Sequence, residues 1–174
     1  MTDRVVRARP EHVACLPAIE RAAGSRFREV EFLDDDVGEG DETSLEEFHE
    51  AQRAGQLWVA LCDDAVVGFA LAHRHGDRAH LEEVDVHPDH GRRGLGARLV
   101  RAVCDWARGA GFAELTLTTF REVPWNAPFY RGQGFEEIPD AELPTELREI
   151  VEEEALRGLD PERRVVMRWP ARKG

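Results

Sequence analysis

Apolar residues follow two periods along this chain, and the switches between them mark its elements. Alternating residues from Asp3 predict a first strand that ends near Pro10. The run EHVACLPAIERAA (11–23) predicts a first helix, which Pro17 kinks or splits because proline lacks a donor and blocks the preceding turn. SLEEFHEAQRAG (44–55) reads as a second helix, capped by Thr43 or Ser44 and stopped by Gly55. From Gln56 to Pro88 the pattern is that of three consecutive strands, with Asp63-Asp64 at the first turn and Gly76-Asp77 at the second.

At Gly94 the period becomes helical. Leu95, Leu99, Ala102, Val103, Trp106 and Ala110 fall on one face and Arg98, Arg101, Asp105 and Arg108 on the other, and Gly111 closes the helix. FAELTLTTF (112–120) alternates as a strand, and PWNAPFYRGQGF (124–135) makes a short helix or turn ending at Gly134. A last helix is predicted in PTELREIVEEEALRGL (144–159), with Leu147, Ile150, Val151 and Leu156 as its apolar side, and RRVVMRW (163–169) is a closing strand. Strands and helices mixed in this way predict an α/β fold.

With 174 residues and 42% hydrophobic composition, the chain fits one domain, 1–174, with a proper core. The start has no signal-peptide pattern and no apolar run is long enough for a membrane span, so a soluble, cytoplasmic protein with no membrane role is expected. Cys15, Cys62 and Cys104 are far apart and form no CxxC pair, which suits buried hydrophobes in a reducing compartment. A net charge of −12 argues against nucleic acid as a partner, because phosphate neutralisation needs a basic field.

Against that acidic background the segment HPDHGRRGLGARLV (87–100) stands out, with Arg92 and Arg93 among three glycines between a strand and a helix. Such a turn presents first-turn amides and the positive end of a helix dipole to an anion, and a pyrophosphate fits that description. A nucleotide triphosphatase loop needs GK followed by Ser or Thr, but Gly96 is followed by Ala97 and Arg98. A dinucleotide fold needs GxGxxG after its first strand, but here the spacing is Gly91-x-x-Gly94-x-Gly96 after the fourth.

That spacing resembles the pyrophosphate motif of the GNAT family of N-acetyltransferases, which runs Gln or Arg, two residues, Gly, one residue, then Gly or Ala. Gly91 takes the place of the Gln or Arg side chain, and its backbone amide, with Arg92 beside it, is expected to serve instead. Tyr130, Gly134 and Phe135 in FYRGQGF match the family's catalytic-tyrosine motif. The resemblance is good from about Gln56 to Phe135 and weak elsewhere. It implies a GNAT-like acyl-CoA N-acyltransferase fold: a central, mixed but mostly antiparallel twisted sheet of about six or seven strands flanked by helices. The implied cosubstrate is acetyl-CoA, in a gap where the fourth and fifth strands part. Its pantetheine arm would pair with the backbone at Val84 and Val86, and its pyrophosphate would sit on Gly91, Arg92, Arg93, Gly94, Leu95, Gly96 and Ala97.

The implied reaction is attack by a primary amine on the thioester. Tyr130 matches the general acid, and Asn126 resembles an asparagine that precedes it, at a shorter spacing than the family's. For the base the fourth strand offers Glu82 first, then His80 and Glu83. His73, His75, His80 and Glu82 are expected on one face of the hairpin, where the histidines hold and tune Glu82. They lack thiolate partners and a zinc-ligand spacing, so no metal is expected. Glu29, Glu31, Asp34, Asp35, Asp36, Glu39 and Asp41 would make an acidic wall that draws a small cationic amine or a peptide or protein amine. The segment 139–161 would cover the site or support a homodimer. Two other readings stand beside this one: a non-catalytic acyl-CoA sensor, and an interaction domain that engages a basic partner.

Overall fold

A computed structural model describes residues 2–31, 33 and 42–172. The chain divides into two compact units, Met1–His73 with Leu81–Val103, and Arg74–His80 with Cys104–Gly174. Seven strands make one mixed sheet in the order β1-β2-β3-β4-β5-β7-β6.

In the first unit, β1 (Asp3–Arg7) pairs antiparallel with β2 (Leu57–Cys62), from Asp3 opposite Cys62 to Arg7 opposite Trp58. β3 (Ala65–His75) follows antiparallel, with a register shift between Ala60 and Leu61. The Asp63-Asp64 turn has φ of 47° and 73°, the left-handed pair that a two-residue hairpin requires. The first helix begins later than its sequence suggests. A 3-10 turn, Pro10–Cys15, leads into α1 (Leu16–Gly24), and Pro17 sits in the first turn, where its missing N–H costs nothing.

α2 (Leu45–Arg53) starts with Ser44 as its cap. Ser44 Oγ accepts from Glu47 N at 3.2 Å while Glu47 Oε2 accepts from Ser44 N at 2.8 Å, a reciprocal capping box. α1 and α2 bury Leu16, Ile19 and Phe48 against Leu57, Val59, Phe69 and Leu71. Phe48 meets Phe69 edge to face at 5.2 Å.

β4 (Arg78–Val86) and α3 (Leu95–Gly109) each run through both units. α3 buries Leu95, Leu99, Val100, Val103, Cys104 and Ala107. Trp106 and Ala102 are half-buried, and Ala110 is exposed beyond the helix end, so the buried stripe is displaced from the predicted one.

In the second unit, Gly76 (φ 59°) turns the chain between β3 and β4. β4 pairs parallel with β5 (Glu114–Phe120) at Ala79–Leu115 and His80–Thr116. β7 (Arg164–Pro170) runs antiparallel along the whole of β5, and the short β6 (Glu136–Glu137), which the sequence pattern does not show, pairs with β7. α4 (Ala127–Gly132) lies between β5 and β6 in the chain. α5 (Thr145–Leu156) packs Leu147, Ile150 and Val151 with Ile138 and Val166. Leu156, expected on that side, is 88% exposed. It lies nine residues after Leu147, about half a revolution away at 3.6 residues per turn. Glu154 takes the inward place instead, pairing with Arg164 at 2.9 Å and accepting from Thr118 Oγ1. Among the described residues no helix is long and apolar enough to cross a membrane.

Candidate active site

β4 ends in a tight turn that is built almost entirely by local hydrogen bonds. His90 N donates to His87 O at 2.8 Å and Gly91 N to Pro88 O at 3.1 Å, so the Gly91 amide serves the turn. A Cβ on Gly91 would meet Pro88 O at 3.2 Å. Arg92 then takes φ of 59° and Gly94 φ of 75°, which swings the chain into α3. The helical bonding of α3 opens with Arg98 N donating to Gly94 O, 3.1 Å. The amides of Leu95, Gly96 and Ala97 therefore have no acceptor within the helix and point out of its positive end.

The two arginines differ. Arg92 is exposed. Arg93 is held from several sides: Nη2 donates to both Asp3 oxygens at 2.7 and 2.8 Å, Nη1 donates to His90 Nδ1 at 3.1 Å, and Cys62 Sγ lies 3.7 Å from each. Arginine is donor-only, so His90 Nδ1 carries a lone pair there. Arg98 Nη2 also donates to Asp3 O, 3.0 Å. The phosphate-type turn is thus tied to β1, at the far end of the chain from anything its local sequence announces.

Val84 and Val86 are half-buried on β4. β3 passes this strand so closely that a Cβ on Gly68 would stand 2.7 Å from Asp85 O and 3.1 Å from Val86 Cγ2. Glu82 is exposed and Glu83 half-buried. Asp85 was not singled out by the sequence, although strand alternation places it on the face of Glu83. Burial, then the charges of Glu83 and Glu20 and a hydrogen bond with Glu83, push the Asp85 carboxyl well above the usual aspartate range; Arg26 opposes this. Glu20 itself accepts from Thr43 N at 3.1 Å and Thr43 Oγ1 at 2.9 Å.

His73, His75, His80 and Glu82 are only partly brought together. The rings of His75 and His80 meet edge to face at 6.0 Å. His73 is placed near Glu47 of α2, whose carboxyl is held below its usual range chiefly by its hydrogen bonds to Ser44 and slightly by His73. Among the described residues there is no group of three or more His, Cys, Asp or Glu that could hold a metal ion. Of the acidic wall, Glu29 and Glu31 are described, whereas Asp34, Asp35, Asp36, Glu39 and Asp41 lie outside the described residues.

In the second unit His80 is 2% exposed, and its Nδ1 lies 2.9 Å from Thr116 Oγ1. Tyr130 is half-buried between Phe129 and Phe135, with ring separations of 5.1 and 5.6 Å. Its amide donates to Asn126 O at 3.0 Å, and its carbonyl accepts from Phe135 N at 3.1 Å after Gly134 turns at φ 95°. Asn126 precedes α4 without capping it by its side chain. Its Nδ2 donates instead to Thr119 Oγ1 of β5 at 2.7 Å.

The family model of the acetyltransferase (GNAT) family matches residues 21–135, more than half of the chain. The chain belongs to the GNAT acetyltransferase family. Its members are acetyl-CoA-dependent N-acyltransferases, and the cosubstrate expected from the sequence is the family's own. Solved structures share the fold. PaiA N-acetyltransferase from Thermoplasma acidophilum, in complex with coenzyme A, superposes with a TM-score of 0.73 at 15% identity, covering 98% of this chain and 99% of that one. The ribosomal-protein-S18-alanine N-acetyltransferase from Escherichia coli gives 0.67 at 18% identity, covering 99% and 96%. N-acetylglutamate synthase from Neisseria gonorrhoeae, complexed with coenzyme A and N-acetyl-glutamate, gives 0.72 at 17% identity, and there the match spans 99% of this chain but 36% of the longer protein.

Proposed function

We propose that this GNAT protein moves the acetyl group of acetyl-CoA directly to a primary amine, either a small cationic amine or a peptide or protein amine. The observation that carries the reading is the start of α3: the turn at Arg92 and Gly94 leaves the Leu95, Gly96 and Ala97 amides unpaired within the helix, and that chemistry suits a pyrophosphate. In this reading Gly91 and Gly94 shape the turn, Arg92 faces the phosphates, and Arg93 holds the turn to Asp3. The backbone at Val84 and Val86 takes the pantetheine arm, and Asn126 braces the α4 start that carries Tyr130. Cys15, Cys62 and Cys104 are all free thiols, which suits action in the cytoplasm.

The chemistry has two proton demands. An ammonium has no lone pair, so the acceptor must first lose a proton, and Glu82 takes it directly or through water, with His80 and Glu83 as the alternative acceptors on the same strand. The amine nitrogen then bonds to the thioester carbon as the carbon–sulfur bond breaks, the Tyr130 phenol delivers a proton to the departing thiolate, and the second proton that the nitrogen sheds on becoming an amide returns through solvent to the phenol. Acidic residues near the acceptor side, Glu29 and Glu31 among them, favour a cationic amine.

Tyr130→Phe tests the acid. Phenylalanine keeps the ring packing against Phe129 and Phe135 and removes only the hydroxyl. Amine-dependent thiol release should fall by about 10²-fold or more in kcat, with KM for acetyl-CoA little changed. Full activity in the variant would remove Tyr130 from the mechanism.

A further inference from the structure

The sheet has two edge strands of different kinds. β6 is two residues long, and a strand that short offers little to pair with. β1 holds five residues in unbroken register on β2, with no proline and no bulge.

The bonds that flank β1 fix which way its backbone points. Thr2 O accepts from Asp63 N at 3.2 Å, and Ala8 N donates to Leu57 O at 2.9 Å. Antiparallel partners alternate between bonded and non-bonded pairs, so Thr2, Arg4, Val6 and Ala8 turn their backbone groups to β2, while Asp3, Val5 and Arg7 turn theirs outward. Arg98 Nη2 reaches Asp3 O from that outward side at 3.0 Å, and a carbonyl keeps a second lone pair for another donor. Among the described residues no other bond is made to these outward groups. Charged side chains commonly guard such an edge, but those of β1 are drawn back onto the chain's own neighbours. Arg4 pairs with Asp64, Asp3 with Arg93 at 2.7 Å, and the Arg7 guanidinium lies 4.5 Å from the centre of the Trp58 ring.

We propose that the outer edge of β1 pairs antiparallel with β1 of a second copy of this chain, about a two-fold axis at Val5. Outward residues must meet outward residues, which leaves few two-fold registers. With Val5 opposite Val5 of the second copy, Asp3 and Arg7 also face each other, every outward amide of one strand meets an outward carbonyl of the other, and unlike charges stand opposite. An axis at Arg4 would set two arginines against each other and leave Arg7 unpaired. An axis at Val6 would leave Asp3 beyond the end of the facing strand. Asp3 belongs both to this edge and to the clamp on Arg93, so the interface adjoins the phosphate-type turn.

Sedimentation velocity of the whole wild-type chain across the micromolar range tests the interface. The expected species has twice the 19.7 kDa of one chain, and a protein that stays monomeric throughout would overturn the proposal. Val5→Pro removes an outward amide that no bond within the chain uses, a place where edge strands accept proline, so it should fold and sediment as a monomer. A folded Val5→Pro protein that remains dimeric would also overturn it, by putting the contact elsewhere. Val5→Cys reads the register without relying on that variant. Only at the axis does a side chain meet its own copy, at a Cα separation of about 5.5 Å that a disulfide can span. Mild oxidation should link most of Val5→Cys into a covalent dimer, well beyond any linkage of the wild type through its exposed Cys15; linkage no greater than that of the wild type would reject the axis at Val5.

Discussion

Gly68→Ala should damage this protein through a single methyl group. The Cβ would stand 2.7 Å from Asp85 O, against roughly 3.3–3.6 Å for a comfortable carbon–oxygen contact, and Val86 Cα would be 3.3 Å away. The shortfall is roughly 0.6 Å, and the obstacle is backbone on the neighbouring strand, which cannot rotate aside. The His87 N to Val67 O bond, 2.8 Å, ties the two strands at that level, so the strain would fall on β4 between Val84 and the phosphate-type turn. Overpacking of this kind costs about 1–3 kcal/mol. At about 2–4 °C per kcal/mol for a chain of this size, the melting temperature should fall by roughly 2–12 °C. Titration calorimetry should also show weaker acetyl-CoA binding, because the displaced strand is the one proposed to pair with pantetheine. Gly24→Ala is the control. Gly24 has helical φ of −60° and open space where the Cβ would go, so the same chemical change there should be neutral or stabilising by up to about 1 kcal/mol. A Gly68→Ala protein that melts with the wild type and binds acetyl-CoA equally well would refute the close-approach argument.

Two further outcomes follow from the site. Asp3→Asn removes the charge that holds Arg93 and keeps one acceptor; calorimetry should show weaker acetyl-CoA binding, while acetyl-pantetheine, which lacks the pyrophosphate, should be turned over as by the wild type. Equal acetyl-CoA affinity would exclude the clamp. Asp85 has its folded pKa raised, so between the ordinary aspartate value and that raised value the unfolded chain binds fewer protons than the fold, and stability declines as pH rises through the window. Asp85→Asn should flatten this part of the melting-temperature profile and match or exceed the wild type at neutral pH; an unchanged slope would rule out Asp85 as its source.

Local punctuation made much of the fold legible in the sequence. Asp63-Asp64 and Gly76 mark the hairpin turns, Thr43 or Ser44 marks the start of α2, and Gly91-x-x-Gly94-x-Gly96 marks the turn into α3, since each of these acts within a few residues of itself. Elements set by distant partners were not legible. The two-residue β6 exists only through its pairing with β7, and Glu154 displaces Leu156 from the inward side of α5 because Arg164 and Thr118 satisfy its carboxylate. The site divides in the same way. Tyr130 and the glycine turn carry motif spacing, whereas the engagement of Arg93 by Asp3 and of His80 by Thr116 depends on pairing between distant segments that composition does not encode.

The central claim is amine acetylation, and amine-dependent release of free thiol from acetyl-CoA tests it most directly. Purified protein would be offered acetyl-CoA with small cationic amines, a lysine peptide and peptides with free amino termini, with a no-amine control. The account predicts release above the control with at least one amine, matched by an acetylated product and strongly reduced in Tyr130→Phe. Acetyl-CoA binding with no release above the control across the whole set would contradict it, and would leave a GNAT fold that holds its cosubstrate without using it.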